Sequence, residues 1–357
     1  MALSNRDNYL RTASLSRGTP PPEYIPIGVH ISGASWDQLR GAVEDVLVRH
    51  PVFFPNFRKG QRDYSKRDFG PANRAGEHFT DAWGCVWYDA IDGIEGQVVG
   101  HPLDDRAKLA TWQPPDPLKT ADRGPADWEG TRRNVAAAKE RGDLTSGGLA
   151  HGFLFMRLSY LRGFENLMLD FATGEPWLRE LIRLVNVHNK AIIEQWLNLG
   201  VDVIGFPEDL GAQTASVISP KAFGEWLAPA YKELMAPCRA AGAHVHMHSD
   251  GHTIELADQL IGCGVTIFNP QDLVNGIDNL ARELKGRVCI DLDVDRQRIV
   301  PFGTRREIRA LIEEEVRTLG SPQGGLTMIV GIYPPTPPEN VDALLDAFEE
   351  FRTFWWR

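Results

Sequence analysis

A chain of 357 residues with 43% hydrophobic and 24% charged content has the composition of an ordinary soluble globular protein, long enough for one large α/β domain with insertions or for two domains. The formal charge of −10 and the lack of any Lys/Arg block argue against a nucleic-acid binder. No apolar run is long enough to span a bilayer, the start lacks the apolar core of a signal peptide, and Cys85, Cys238, Cys263 and Cys289 form no CxxC or metal-finger spacing. Free thiols in a reducing cytoplasm are therefore expected.

In chain order, short apolar runs predict strands at 25–29, 150–155, 203–206, 245–248, 266–268, 288–292 and 327–330. Amphipathic patterns predict helices at 36–49, 176–199, 220–241, 253–261, 273–284, 304–319 and 338–351. The alternation implies βαβ units and a parallel sheet. About eight such units in a chain of this length fit a (β/α)8 TIM barrel better than a doubly wound sheet, and no G-x-G-x-x-G follows the first strand. Residues 1–357 are read as one barrel domain. The stretch 53–149, rich in Gly, Pro, Trp and Asp, is read as a long irregular insertion after the first βα unit, a hairpin followed by extended segments. Thr336 is expected to cap the last helix, with Pro337 at its first position.

The segment His244-Val245-His246-Met247-His248-Ser249-Asp250-Gly251-His252 holds four of the ten histidines and a carboxylate. On a strand the histidines at 244, 246 and 248 face one way, and His248 and Asp250 reach the carboxyl end, where a barrel keeps its chemistry. Polar residues recur at other predicted strand ends: His30 and Ser32, Glu208, Asp209 and Gln213, Asn269 and Gln271, Asp291, Asp293 and Asp295, and Tyr333.

Two chemistries suit this set. One is a metal site in which His248 and Asp250, with Glu208 or Asp209 from the neighbouring strand, supply an N/O ligand set compatible with Zn2+. The other is metal-free acid–base work by a histidine beside carboxylates. Against both stands helix capping for Asp209 and Glu208. Asp291-Leu292-Asp293-Val294-Asp295 lacks the Gly and Glu of a calcium loop. Asp250-Gly251-His252 opens like the cobalamin motif D-x-H-x-x-G, but Glu255 stands at the glycine position.

Several segments together resemble the uroporphyrinogen decarboxylase superfamily, which also holds zinc methyltransferases acting with corrinoid proteins or coenzyme M. They are Asp81–Trp87 with His101-Pro102-Leu103 and Pro115-Asp116-Pro117, Arg162-Gly163-Phe164-Glu165-Asn166, Glu208-Asp209-Leu210-Gly211-Ala212-Gln213 with Ile218-Ser219-Pro220, His248-Ser249-Asp250-Gly251, and Thr336-Pro337-Pro338-Glu339-Asn340. The resemblance runs over nearly the whole chain. The decarboxylases carry R-Q-A-G-R after the first strand, whereas this chain has Gly28-Val29-His30-Ile31-Ser32-Gly33 and so lacks that cationic grip on substrate carboxylates. Of the methyltransferases' His and two Cys zinc ligands, His248 matches the histidine, Asp250 stands at the first cysteine and Val330 at the second.

What the resemblance implies is a branch nearer the corrinoid-dependent methyltransferases. The leading expectation is demethylation of a small O-methyl compound, with a separate corrinoid protein as methyl acceptor. Glu208, His248 and Asp250 would bind zinc. His248, Asp250 and Asp209 would carry the chemistry, and His30, Gln213, Asn269 and Tyr333 would shape or polarise the substrate. The corrinoid would come from the partner, because no corrinoid-binding domain is present. The alternatives are a metal-free decarboxylase using His248 or Asp250 for proton transfer, and a non-catalytic small-molecule binding protein. A homodimer and a monomer both remain open, and the aromatic tail 351–357 is expected to pack on its own barrel rather than on a second subunit.

Overall fold

The computed structural model describes residues 3–15, 18–65, 69, 73–121 and 124–357. In chain order the elements are α1 (Asn5–Ala13), β1 (Ile27–Ile31), α2 (Gly33–Leu39), α3 (Gly41–Leu47), β2 (His78–Thr80), β3 (Val86–Tyr88), β4 (Gln97–Gly100), β5 (Thr120–Ala121), β6 (Gly124–Pro125) and α4 (Trp128–Arg141). There follow β7 (Ser146–Gly148), α5 (Phe155–Arg162), α6 (Phe164–Thr173), α7 (Pro176–Leu199), β8 (Val203–Glu208), α8 (Pro220–Ala222), a π turn at Phe223–Leu227, α9 (Ala228–Ala240), β9 (His244–Ser249), α10 (Ala257–Cys263) and β10 (Ile267–Pro270). The chain closes with α11 (Asp272–Asn275), α12 (Ile277–Leu284), β11 (Cys289–Asp293), α13 (Ile299–Phe302), α14 (Arg305–Leu319), β12 (Leu326–Ile332) and α15 (Pro338–Phe351). No helix among the described residues is long and apolar enough to cross a membrane.

Two compact units result. Unit one is 1–76, 89–95 and 271–357, and unit two is 77–88 and 96–270. In unit one β12 lies between β1 and β11, all parallel, with Ile27 to Ile31 in register with Met328 to Ile332 and Ile290 to Asp293 with Leu326 to Ile329. Every residue of β11 is buried, as expected of a strand covered on both faces. In the same unit α14 opens on a reciprocal cap between Thr304 and Glu307, and the indole N–H groups of Trp355 and Trp356 donate to the carbonyls of Val316 and Pro322. The aromatic tail thus packs on its own unit.

In unit two the parallel order is β10, β9, β8, β7. Along β9 the burial alternates: Val245, Met247 and Ser249 are buried, and the histidines between them are half-buried. Phe153 packs tilted and Phe223 edge-on against Tyr231, with Phe206 edge-on to Phe153.

The α/β class and the parallel strands agree with expectation. Seven parallel strands are found among the described residues, and an eighth is not. Two local differences have clear causes. The apolar run at 150–155 is not a strand: β7 ends at Gly148, and Phe153, Leu154 and Phe155 turn into the buried start of α5. A short apolar run alone does not separate these outcomes. The strand instead uses Ser146-Gly147-Gly148, because a Cβ on Gly147 would stand 2.1 Å from the Trp196 ring of α7. The last helix spans 338–351 as expected, but its cap residue is Pro337 rather than Thr336, and the backbone N–H of Thr336 donates to the carbonyl of Tyr333. The stretch before β7 is more regular than expected. It forms the antiparallel set β2-β3-β4, the small ribbon β5-β6 and the four-turn helix α4.

Candidate active site

The carboxyl ends of the four parallel strands of unit two each present a polar side chain. His151 follows β7, Asp209 follows β8, His248 ends β9 with Asp250 just beyond, and Asn269 sits in β10. Two loops hold this end together. The backbone of Gly211 lies against that of Gly251, so close that a Cβ on Gly251 would stand 2.2 Å from the Gly211 carbonyl carbon, and Gly251 has φ +80°. Gly211 N donates to Asp250 O at 3.1 Å, His252 N to Ala212 O at 2.7 Å, and Leu210 N to Ser249 Oγ at 2.8 Å. Only glycine permits such an approach and that backbone sign together.

This zipper puts the ionisable groups side by side. His151 Nε2 lies 3.3 Å from Asp209 Oδ1, and His248 Nε2 lies 4.0 Å from the same oxygen and 3.4 Å from Asp250 Oδ1. The two imidazole rings are 6.0 Å apart. His248 Nδ1 donates to Asn269 Oδ1 at 2.6 Å, which fixes the tautomer and leaves the Nε2 lone pair towards the carboxylates. Burial, ahead of the opposing pull of Asp250, Asn269 and Asp209, holds the His248 imidazole below its ordinary pKa and so neutral. Burial works to raise the Asp209 carboxyl. The His151 hydrogen bond, the two neighbouring imidazoles and the Asp250 amide outweigh it and keep Asp209 below the usual range, ionised.

His151, Asp209 and His248 can offer one ligand atom each within 4.8 Å of one another. Two imidazole nitrogens and a carboxylate suit Zn2+ and other divalent metals of similar preference. Glu208, expected as a ligand, is turned away from this group. It is fully buried and its oxygens accept from the amides of Leu154 and Met156, the latter at 3.1 Å. Burial pushes its carboxyl up to about 7 against those two bonds. Its observed role is to tie down the start of α5. His151 was not among the expected residues, because 150–155 read as a strand interior. The signal that could have found it is the Gly147-Gly148 pair, which ends a strand just before a histidine.

The other expected residues fall elsewhere. Asn269 is buried and serves His248. Gln213 stands exposed in the loop after β8. His30 and Tyr333 belong to unit one, at the carboxyl ends of β1 and β12. There His30 is in register with Gly331, and the Tyr333 ring lies against Gly331 with the Arg296 guanidinium 5.5 Å from its centre.

A family model for uroporphyrinogen decarboxylase (URO-D) matches residues 86–351. No curated protein matches the chain in sequence. Among solved structures, the chain is similar to a methyltransferase from Methanosarcina mazei at 17% identity and TM-score 0.64, over 96% of this chain and 98% of that one. It is also similar to a B12-independent methionine synthase from Shewanella sp. W3-18-1 at 9% identity and TM-score 0.41, over 63% and 66%. The first likeness extends the common fold to nearly the full length of both chains, and the second is too distant to add to it. The strand-end site therefore stands in a chain that belongs to the uroporphyrinogen decarboxylase family.

Proposed function

We propose that the chain is a metal-assisted methyltransferase that demethylates a small O-methyl compound, with a separate corrinoid protein taking the methyl group. The observation that carries this reading is the meeting of His151, Asp209 and His248 at three consecutive strand ends. Asp250 is a further carboxylate within reach of His248. A bound Zn2+ would act there as a Lewis acid on the methoxy oxygen.

The side chains prepare that site in separate ways. Asn269 holds His248 with its Nε2 lone pair forward, and burial keeps that ring neutral and able to donate the pair. Asp209 stays ionised and balances positive charge beside both imidazoles. Asp250, more exposed than Asp209, is placed to take or return a proton at the leaving oxygen. Gln213, in the loop after β8 of the same unit, is retained as a group that would shape or polarise the substrate.

Elemental analysis of the purified protein tests the metal. The expected result is near one zinc per chain, lost in His151→Ala, Asp209→Ala and His248→Ala and kept in Glu208→Gln. Protein free of metal in every preparation, including one refolded with excess zinc, would sink the proposal. A metal-free decarboxylase would then be the reading to pursue.

A further inference from the structure

Unit two also holds a half-open cavity of about 220 Å3 that lies on another side of the chain segment bearing His151. Gly148, Ala150 and Phe153 line it, whereas His151 between them pairs with Asp209. Its walls are the indoles of Trp83, Trp128 and Trp196, and each is fixed from outside. Trp196 Nε1 donates to Gly148 O at 2.9 Å, and Trp128 meets Trp196 edge-on at 5.3 Å. Trp83 carries the Arg157 guanidinium 4.7 Å from its ring centre and the His188 ring at 4.5 Å. Rings held this way do not collapse into the space that small residues such as Ala121, Ala126 and Ala150 leave.

The electrostatics select among ligands. Arg157 lines the cavity and is buried, but its charge is met by Asp81 at 3.4 Å, which also accepts from the amides of Trp83 and Cys85 and from Trp87 Nε1. The guanidinium therefore arrives with its counter-ion. A carboxylate entering would bring an uncompensated charge against a largely apolar aromatic wall. Asp127 at the cavity, whose side chain caps α4, adds further repulsion to anions. A cation would find one face of Trp83 already taken by the Arg157 guanidinium. Asn189 donates to Phe153 O at 2.8 Å and keeps acceptor capacity on its carbonyl for one polar substituent of a ligand.

We propose that this cavity is a binding site for a neutral planar aromatic molecule of about indole size, separate from the histidine–carboxylate group. The size follows from volume: an apolar cavity of about 150 Å3 accommodates benzene, so the larger space here suits a fused bicycle or a substituted single ring. Ring-on-ring contact with fixed indoles supplies the affinity. The proposal does not depend on the metal reading above.

Calorimetric titration of the full chain with indole, benzoate and tetramethylammonium tests it. Indole should bind saturably at one site, with benzoate and the cation weaker by about tenfold or more. Ala150→Phe and Ile192→Trp fill the space and should abolish the indole heat while melting remains cooperative. If either variant does not fold, Trp128→Ala, at a half-buried wall position, should weaken indole by about tenfold through lost stacking. Lack of saturable indole binding to the unmodified chain overturns the site. So does binding that survives a folded cavity-filling variant, and so does benzoate or tetramethylammonium binding as tightly as indole.

Discussion

Glu208 and Asp209 are adjacent, and the extended backbone at the end of β8 sends them to opposite sides. Glu208 enters the protein and meets amides, and Asp209 leaves it and meets imidazoles. The same residue type can thus be scaffold or chemistry according to one alternation. A second buried carboxyl shows what desolvation does without such partners. Glu315 of α14 is fully buried in unit one, and burial, then the Asp272 charge and hydrogen bond, push its carboxyl well above the ordinary value of 4.5. A raised folded-state pKa means that both states hold the proton at low pH. The unfolded chain alone releases it as pH rises past 4.5, so stability falls from there through neutrality. Glu315→Gln, which keeps the shape and removes the titration, should raise stability at pH 8 by on the order of 1 kcal/mol and leave it nearly unchanged at pH 4. Urea melts at the two pH values check this. An equal effect at both would show that Glu315 is ionised in the folded protein.

At the scale of elements, the loops after β8 and β9 depend on glycine at 211 and 251. The contact of the two backbones explains why both positions must lack a side chain. Gly251→Ala combines a positive φ with a Cβ placed into the Gly211 backbone, and should cost on the order of 2–4 kcal/mol. A melting curve matching that of the unmodified chain would show that the loops are not pressed together. Helix ends were read well where chemistry punctuates the chain. Pro176–Leu199 begins on a proline and ends before Gly200 in the left-handed conformation, and both bounds match the pattern expected. Boundaries failed where a glycine or a non-standard turn lies inside an apolar period. Arg40, at φ 47°, splits the expected 36–49 helix into α2 and α3, and Gly276 splits 273–284 into α11 and α12.

Over the whole molecule, Cys85, Cys238, Cys263 and Cys289 are all free and buried. Burial pushes the Cys238 and Cys263 thiols up to about 11 and Cys289 higher still. The folded protein should therefore react slowly with a colorimetric thiol reagent, and all four thiols should appear together on unfolding in urea. Rapid reaction of one thiol in native buffer would mean that its unit opens locally.

The sequence by itself determined the α/β class, the order of the parallel strands, the long helices and the position of His248, Asp209 and Asp250 at strand ends, because hydrophobic periods and turn residues are local signals. It also carried the family resemblance, in motifs spread along the chain. Tertiary structure alone decided which polar residues meet. His151 joined the group and Glu208 left it, because one residue of register at a strand end reverses the direction of a side chain. The aromatic cavity was equally hidden, since Trp83, Trp128 and Trp196 belong to segments far apart in sequence and are brought together by packing against β7 and α7.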